Sequence, residues 1–310
     1  MSITPAMIKE LREMTGSGMS DCKKALEETG GDVQKAVALL REKGLAAAAK
    51  KAGRIAAEGV VALKVAEDHS QAVIVEVNCE TDFVAINPDF KAYVEEIADQ
   101  LAASKVTTVE DFLEEPWSKG GGTVAEVLQG KIATVGENLK IRRVERIVKA
   151  APGIITSYVH GGGKIGVLLE VHTESTNPLV QEMAYNICMQ IAALFPRYLK
   201  SEEVDQDYIN EERQILTAAA KNDESNAGKP ENVIENMVEG RLKKQLKEVC
   251  LLEQDFVKDN KLSVKAYVES IAKEVGSPIT LAKFVCFEKG ASIEKKQDDF
   301  AEEVAKAMQG

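Results

Sequence analysis

The sequence predicts an α+β protein: a three-helix start, then two related units of small antiparallel sheet backed by helices, with a helical hairpin inserted in the second. Two observations carry this reading. Apolar residues recur at helical spacing through the first 45 residues, and a strand-rich segment beginning at Gly59 is repeated from Gly153 onward.

Thr4 caps the first predicted helix, with Pro5 in its first turn, and Gly16 stops it. Ser20 or Asp21 opens the second, and Gly30–Gly31 closes it. Asp32 caps the third, where Val33, Ala36, Val37 and Leu40 form one apolar stripe and Gly44 marks the end. This stretch resembles the ubiquitin-associated three-helix module, and residues 1–45 are read as a docking module. Residues 46–58 are rich in alanine with paired lysines, which favours a helical or semi-rigid linker.

An internal repeat organises the rest of the chain. GVVALKV at 59–65 matches GIITSYV at 153–159, and VIVEVNCET at 73–81 matches VLLEVHTES at 167–175 at the same spacing. Both copies read as strand hairpins rich in β-branched residues. A helix comes next in each, with a stripe of Phe90, Tyr93, Val94, Ile97 and Leu101 in the first and Val180, Met183, Ala184, Ile187 and Ile191 in the second. Between strand and helix, however, the first copy holds four additional residues, Asp82–Ala85. Third strands are predicted at 138–148 and 279–288, so the first unit spans 59–150 and the second 151–199 with 250–290. Within the second, residues 200–249 read as an antiparallel αα-hairpin. Its predicted stripes are Val204, Tyr208, Ile215 and Ala219, and Val233, Met237, Leu242, Leu246 and Val249. Residues 291–310 form a C-terminal module, with Phe300, Val304 and Met308 on one helical face.

Composition narrows the function. A net charge of −11 disfavours direct contact with nucleic acid, and the short basic clusters are interleaved with acids. No apolar run is long enough to span a bilayer, and the start has neither a signal nor a transit peptide, so a cytoplasmic protein is expected. Five scattered cysteines (Cys22, Cys79, Cys188, Cys250, Cys286) and three histidines form no zinc pattern, so no metal or other cofactor is expected and the thiols read as buried and reduced. HGGGK at 160–164 departs from a phosphate-binding loop, because Ile165 comes after the lysine and strands flank it; it reads as a hairpin turn. Glu76 and Glu170 repeat together and suggest a shared role in the fold, while His69 and His172 read as structural or solvated. No pairing of nucleophile and base is visible, so the protein is read as a non-enzyme.

ETDFVAINP is the sharpest feature. It sets apolar residues at a strand-to-helix junction that the second copy builds without them, so they are dispensable for the fold and available to a partner. LREMTGSGMSDCKKAL (11–26) and EVNCETDFVA (76–85) resemble the two signature segments of the elongation factor Ts family. GENLKIRRV (136–144), YVHGGGKIGVLL (158–169), MVEGRLKK (237–244) and FEKGASIEKK (287–296) extend the likeness nearly end to end. Departures are Ile86 where the family usually has a polar residue, Asp255 where proline is common, and a longer 113–131 segment.

The resemblance implies a guanine-nucleotide exchange factor for elongation factor Tu. In the family the TDFV loop drives its phenylalanine into the GTPase and disturbs the magnesium site, which assigns Thr81, Asp82, Phe83 and Val84 here. It further implies partner contacts at Leu11, Met19, Val135, Gly136 and His160, and docking by the helix at 300–308. The alternative, a ubiquitin-type binding adaptor, rests on the first 45 residues and leaves the repeat unexplained. A homodimer through the helical hairpin is a further expectation.

Overall fold

In the computed structural model, which describes residues 3–294, three helices come first: α1 (Pro5–Thr15), α2 (Met19–Glu28) and α3 (Val33–Lys51). The Thr4 hydroxyl accepts from the Met7 amide, and Gly16 ends α1 in the left-handed region. Leu11, Cys22, Ala25, Leu26 and Ala36 make the small core of this bundle. Its second helix starts earlier than expected, at Met19 after Gly18, and neither Ser20 nor Asp21 caps it.

The first sheet comprises β1 (Glu58–Val65), β2 (Gln71–Cys79) and β3 (Lys140–Val148), antiparallel in the order β1-β2-β3. Between β2 and β3 lie α4 (Asp82–Ile86), α5 (Pro88–Ala103), α6 (Val109–Glu114) and α7 (Val124–Val135). The second sheet repeats the plan with β4 (Gly153–His160), β5 (Ile165–His172) and β8 (Thr280–Glu288). Between β5 and β8 come α8 (Pro178–Leu194), α9 (Gln206–Asn222), α10 (Glu231–Val249), the short strands β6 (Asp255–Phe256) and β7 (Asp259–Ser263), and α11 (Val264–Val275).

The duplication is visible in detail. The ladder slips between Glu76 and Val77 in one sheet and between Glu170 and Val171 in the other. Asn87 and Asn177 cap α5 and α8, each with proline directly after it, and both predicted stripes are buried against their sheets. The repeat also reaches beyond its sequence-legible part. α7 and α11 both lead into the third strand, start on a hydroxyl cap (Thr123, Ser263) and end on a left-handed glycine (Gly136, Gly276).

Gly44 does not end the third helix. α3 runs through it and the alanine-rich stretch to Lys51. A Cβ on Gly44 would lie 3.4 Å from the Ala133 methyl, so this residue lets α3 lie close against α7, and the alanines beyond it favour continued helix.

The two sheets meet face to face. Val61, Ile74 and Ile147 of the first pack on Ile155, Leu168 and Phe287 of the second, while the opposite faces carry the helices. β2 is therefore covered on both sides, which explains its near-continuous apolar run. A Cβ on Gly166 would sit 2.5 Å from a Val61 methyl, so only glycine allows this approach. Glu76, with no exposed surface, ties the units together: it accepts from Arg142 (3.1 Å), Arg143 (2.6 Å), Asn78 (2.9 Å) and the Gly290 amide (2.7 Å). Glu170 serves its own unit, accepting from the Ala150 amide at 2.8 Å with His172 Nε2 at 2.7 Å. Both repeated glutamates are structural, as expected. All five cysteines are free, four of them buried and Cys286 partly so.

In the αα-hairpin Val204, Tyr208, Leu242, Leu246 and Val249 pack together as expected, but toward the turn the seam is offset by one residue. Ile209, Leu216 and Ala220 face Ile234, Val238 and Leu242, which leaves Ile215 at 54% and Val233 at 37% exposure. Ile215–Leu216 and Val233–Ile234 are adjacent apolar pairs, between which periodicity alone cannot choose. The turn decides: Asn226 is buried and donates to the Ala220 carbonyl at 2.9 Å, which brings the Leu216–Ala220 side inward. The expected helix at 300–308 lies outside the described residues.

Candidate functional site

The four additional residues do not form an open loop. They make most of α4, a five-residue helix between β2 and α5. Thr81 caps it, its hydroxyl accepting from the Val84 amide at 3.3 Å, and Asn87 both ends α4 and caps α5. Ala85 is buried and Val84 packs against the core of the first unit. Phe83 is 78% exposed and Ile86 is 66% exposed. Three residues apart on a helix, they share one side and form an apolar tip. Asp82 is exposed in the first turn of α4. The residues expected from sequence do not include Ile86, although its spacing from Phe83 is the signal that adds it.

The junction below this tip is firmly held. Glu137 accepts from the Glu80 and Thr81 amides at 3.0 Å each through one oxygen, and from the Thr81 hydroxyl at 2.6 Å through the other. In return, Glu80 accepts from the Asn138 amide at 2.6 Å, and Asn138 donates to the Arg54 carbonyl at 2.8 Å. The Cys79 thiol lies 3.2 Å from the Thr81 carbonyl, and burial pushes its pKa up to about 12. Cys79 is thus a protonated donor within the scaffold and no nucleophile.

The other expected contact residues divide. Met19 is 46% exposed at the start of α2, whereas Leu11 has no exposed surface. Leu11 sits at the packing centre of the bundle, so any part it plays toward a partner runs through the shape of the helices around it. Met14, on the same helix, is 52% exposed. Val135 packs partly against the first core, and Gly136 is exposed in the left-handed turn just before Glu137. His160 is exposed at the end of β4, its Nδ1 2.9 Å from the Tyr158 hydroxyl, and Tyr158 meets half-exposed Tyr185 edge-on at 5.5 Å. The structure thus joins Thr81–Val84 to the Val135–Gly136 turn through Glu137, while His160 belongs to an aromatic patch of the second sheet.

Gly161–Gly163 form the turn between β4 and β5, and the Lys164 amide donates to the His160 carbonyl at 3.0 Å. Strands lie on both sides, so the turn offers no helix N-terminus to a phosphate. Between the helical bundle and the first unit lies an open groove of about 1160 Å³, with Met14, Leu40 and Leu45 on one wall and Val84, Tyr93 and Val135 on the other. An ion pair between Arg41 and Glu126 also joins the two sides. Among the described residues no group of three or more metal-binding side chains occurs, and no helix is long and apolar enough to cross a membrane.

Comparison with known proteins bears on what this arrangement serves. A family model described as Elongation factor TS matches residues 80–291. Elongation factor Ts of Clostridium perfringens strain 13 is 53% identical over 98% of both chains. Elongation factor Ts of Clostridium novyi is 52% identical, and that of Clostridium kluyveri 50%, each over 99% of both chains. Likeness of this degree over essentially the whole length, including both strand units and the α4 junction, shows that the chain belongs to the elongation factor Ts family.

Proposed function

We propose that this protein is a non-enzymatic guanine-nucleotide exchange factor for elongation factor Tu that works in the cytoplasm without touching nucleic acid. Family membership supports the exchange role in general terms. The observation that carries the mechanism is the exposed Phe83 on a helix that one copy of the repeat has and the other lacks. In this reading Phe83 enters the GTPase domain and disturbs its magnesium and phosphate site, Ile86 widens the tip, Val84 seats it and Thr81 caps it. Asp82, exposed in the first turn, sets a negative charge next in sequence to the intruding ring. Met19, Val135, Gly136 and His160 act as further contacts.

Burying one phenylalanine yields about 1.5–3 kcal/mol. Each 1.4 kcal/mol is roughly tenfold in affinity, so a single wedge weakens bound nucleotide only by about 10–100-fold. Larger acceleration requires several contacts acting together. Coupling is also reciprocal: a factor that expels nucleotide is itself expelled by nucleotide.

Release of labelled GDP from elongation factor Tu, with and without this chain, tests the proposal, and unchanged release refutes it. A chain starting at Ala52, just past the end of α3, extends the test. We expect the maximal rate to be preserved and the half-saturating concentration to rise at least about tenfold, as for loss of a separate contact worth 1.4 kcal/mol. A maximal rate that saturation cannot restore would show that the helical bundle does more than dock.

The exposed Ile215 and Val233 support pairing of two chains along the αα-hairpin. Sedimentation equilibrium is expected to show a dimer that Ile215→Lys converts to monomer; a monomeric parent chain rules the pairing out.

A further inference from the structure

We infer that Glu137 is the positioning residue that aims α4, a role that rests on the exchange reading above. A helix of five residues is far too short to hold its own shape, so its direction is set by its two ends together with the packing of Val84 and Ala85 on the core. At the C-terminal end, Asn87 joins α4 rigidly to α5. At the N-terminal end the chain leaves β2 through Glu80 and Thr81, and both of their amides and the Thr81 hydroxyl converge on the Glu137 carboxylate. Charge-assisted bonds of this kind are the strong ones, and three on one carboxylate fix both position and tilt.

The second copy of the repeat supplies an internal control. β3 and β8 pair with their neighbours in matching register, Asn78 opposite Lys140 and His172 opposite Thr280. Three residues before those strand positions stand Glu137 and Ser277. Ser277 lies 3.3 Å from the Thr173 hydroxyl and grips no backbone amide at the junction to α8. A carboxylate therefore occupies this position in the copy that carries the extra helix, and a small hydroxyl in the copy that does not. Nothing in the first sheet itself requires Glu137, since its three bonds all go to the junction. It also sits directly after Gly136, so the proposed contact at that turn and the tip on α4 are fixed to each other through one side chain.

The experiment measures GDP release from elongation factor Tu against concentration of the full chain. For Glu137→Ala the maximal rate is expected to fall about tenfold, with the half-saturating concentration within about twofold, because docking surfaces are untouched while the tip loses its aim. Glu137→Gln is expected to stay within about threefold of the parent, since the amide still offers oxygen to two N–H groups and its own NH₂ to the Thr81 oxygen. Combining Glu137→Ala with Phe83→Ala should cost no more than Phe83→Ala alone, because aim is worthless without the ring. Hydrogen exchange at the Thr81 amide should accelerate in Glu137→Ala, and a thermal melt reports its folding. Should that variant fail to fold, Glu137→Asp, too short to reach all three donors, is expected to show the same selective loss of maximal rate. A parental maximal rate in a folded Glu137→Ala or Glu137→Asp chain overturns the inference, as does full multiplicative loss in the double variant. If Phe83→Ala alone exchanges at the parental rate, the wedge reading fails instead.

Discussion

Phe83→Ala is expected to release GDP from elongation factor Tu at a rate about one to two orders of magnitude below the parent chain. That factor comes from the lost burial of one phenylalanine, about 1.5–3 kcal/mol, converted at 1.4 kcal/mol per decade. Deleting residues 82–85 should cost more, because it removes α4 and the seat beneath the ring. Phe83→Ala should shift the melting temperature by no more than a few degrees, and the deletion, which also removes buried Ala85 and packed Val84, by more while the chain still folds. Phe83 is 78% exposed, and the second copy connects its strand to its helix through residues 173–177 without such a segment. Exchange assays run beside thermal melts separate the outcomes. Parental exchange in the deletion variant excludes α4 as the wedge, and a collapsed melt in Phe83→Ala assigns the ring to the core.

The largest stability effect is expected at Glu76. Glu76→Ala removes the one acceptor that gathers Arg142, Arg143, Asn78 and the Gly290 amide from both sheet units. Breaking a buried ion pair from one side costs about 3–5 kcal/mol, and the lower end applies because both arginines reach water. In a chain of this size that lowers the melting temperature by roughly 5 °C.

The same site predicts a pH dependence. Burial on its own pushes the Glu76 carboxyl up, but the Gly290 amide, Asn78 and the Arg143 guanidinium overcome it and hold the carboxyl below its ordinary value of 4.5. A folded pKa below the unfolded one means that this stabilisation is complete above the unfolded value and disappears as pH falls through the folded value. The parent chain should therefore lose stability below about pH 4.5 more steeply than Glu76→Gln. Identical acid profiles for the two chains would remove Glu76 as the source.

The legible part of the fold rests on local chemistry. Asn87–Pro88 and Asn177–Pro178 mark helix starts by capping, and the two long apolar stripes behind them have only one face to bury. Duplication exposes the strands, because β-branched runs recur at fixed spacing. The hidden part depends on contacts distant in sequence. α7 escapes notice although Thr123 and Glu126 form a capping box, because the glycine-rich run before it reads as loop. The face-to-face sheets are not legible, since a strand covered on both sides differs from its neighbours only by lacking polar residues. Leu11 shows a different limit: resemblance marks a position that matters without saying whether it acts from the surface or from inside. Glu137 lies within a segment that carries the resemblance, but its role is not legible there, because its meaning appears only when the α7–β3 turn meets the end of β2.

The shared apolar layer between the two sheets has a mechanical consequence. Val61, Ile74 and Ile147 interlock with Ile155, Leu168 and Phe287, and close-packed interiors of this kind resist compression. The two units therefore behave as the fixed jaws of a caliper, with the α4 tip on one and the Tyr158–His160 patch on the other. When such a gauge meets a surface whose spacing does not match, it does not flex to fit. In the exchange role proposed above, the misfit would fall on the partner, and stiffness in the factor would become distortion in the GTPase.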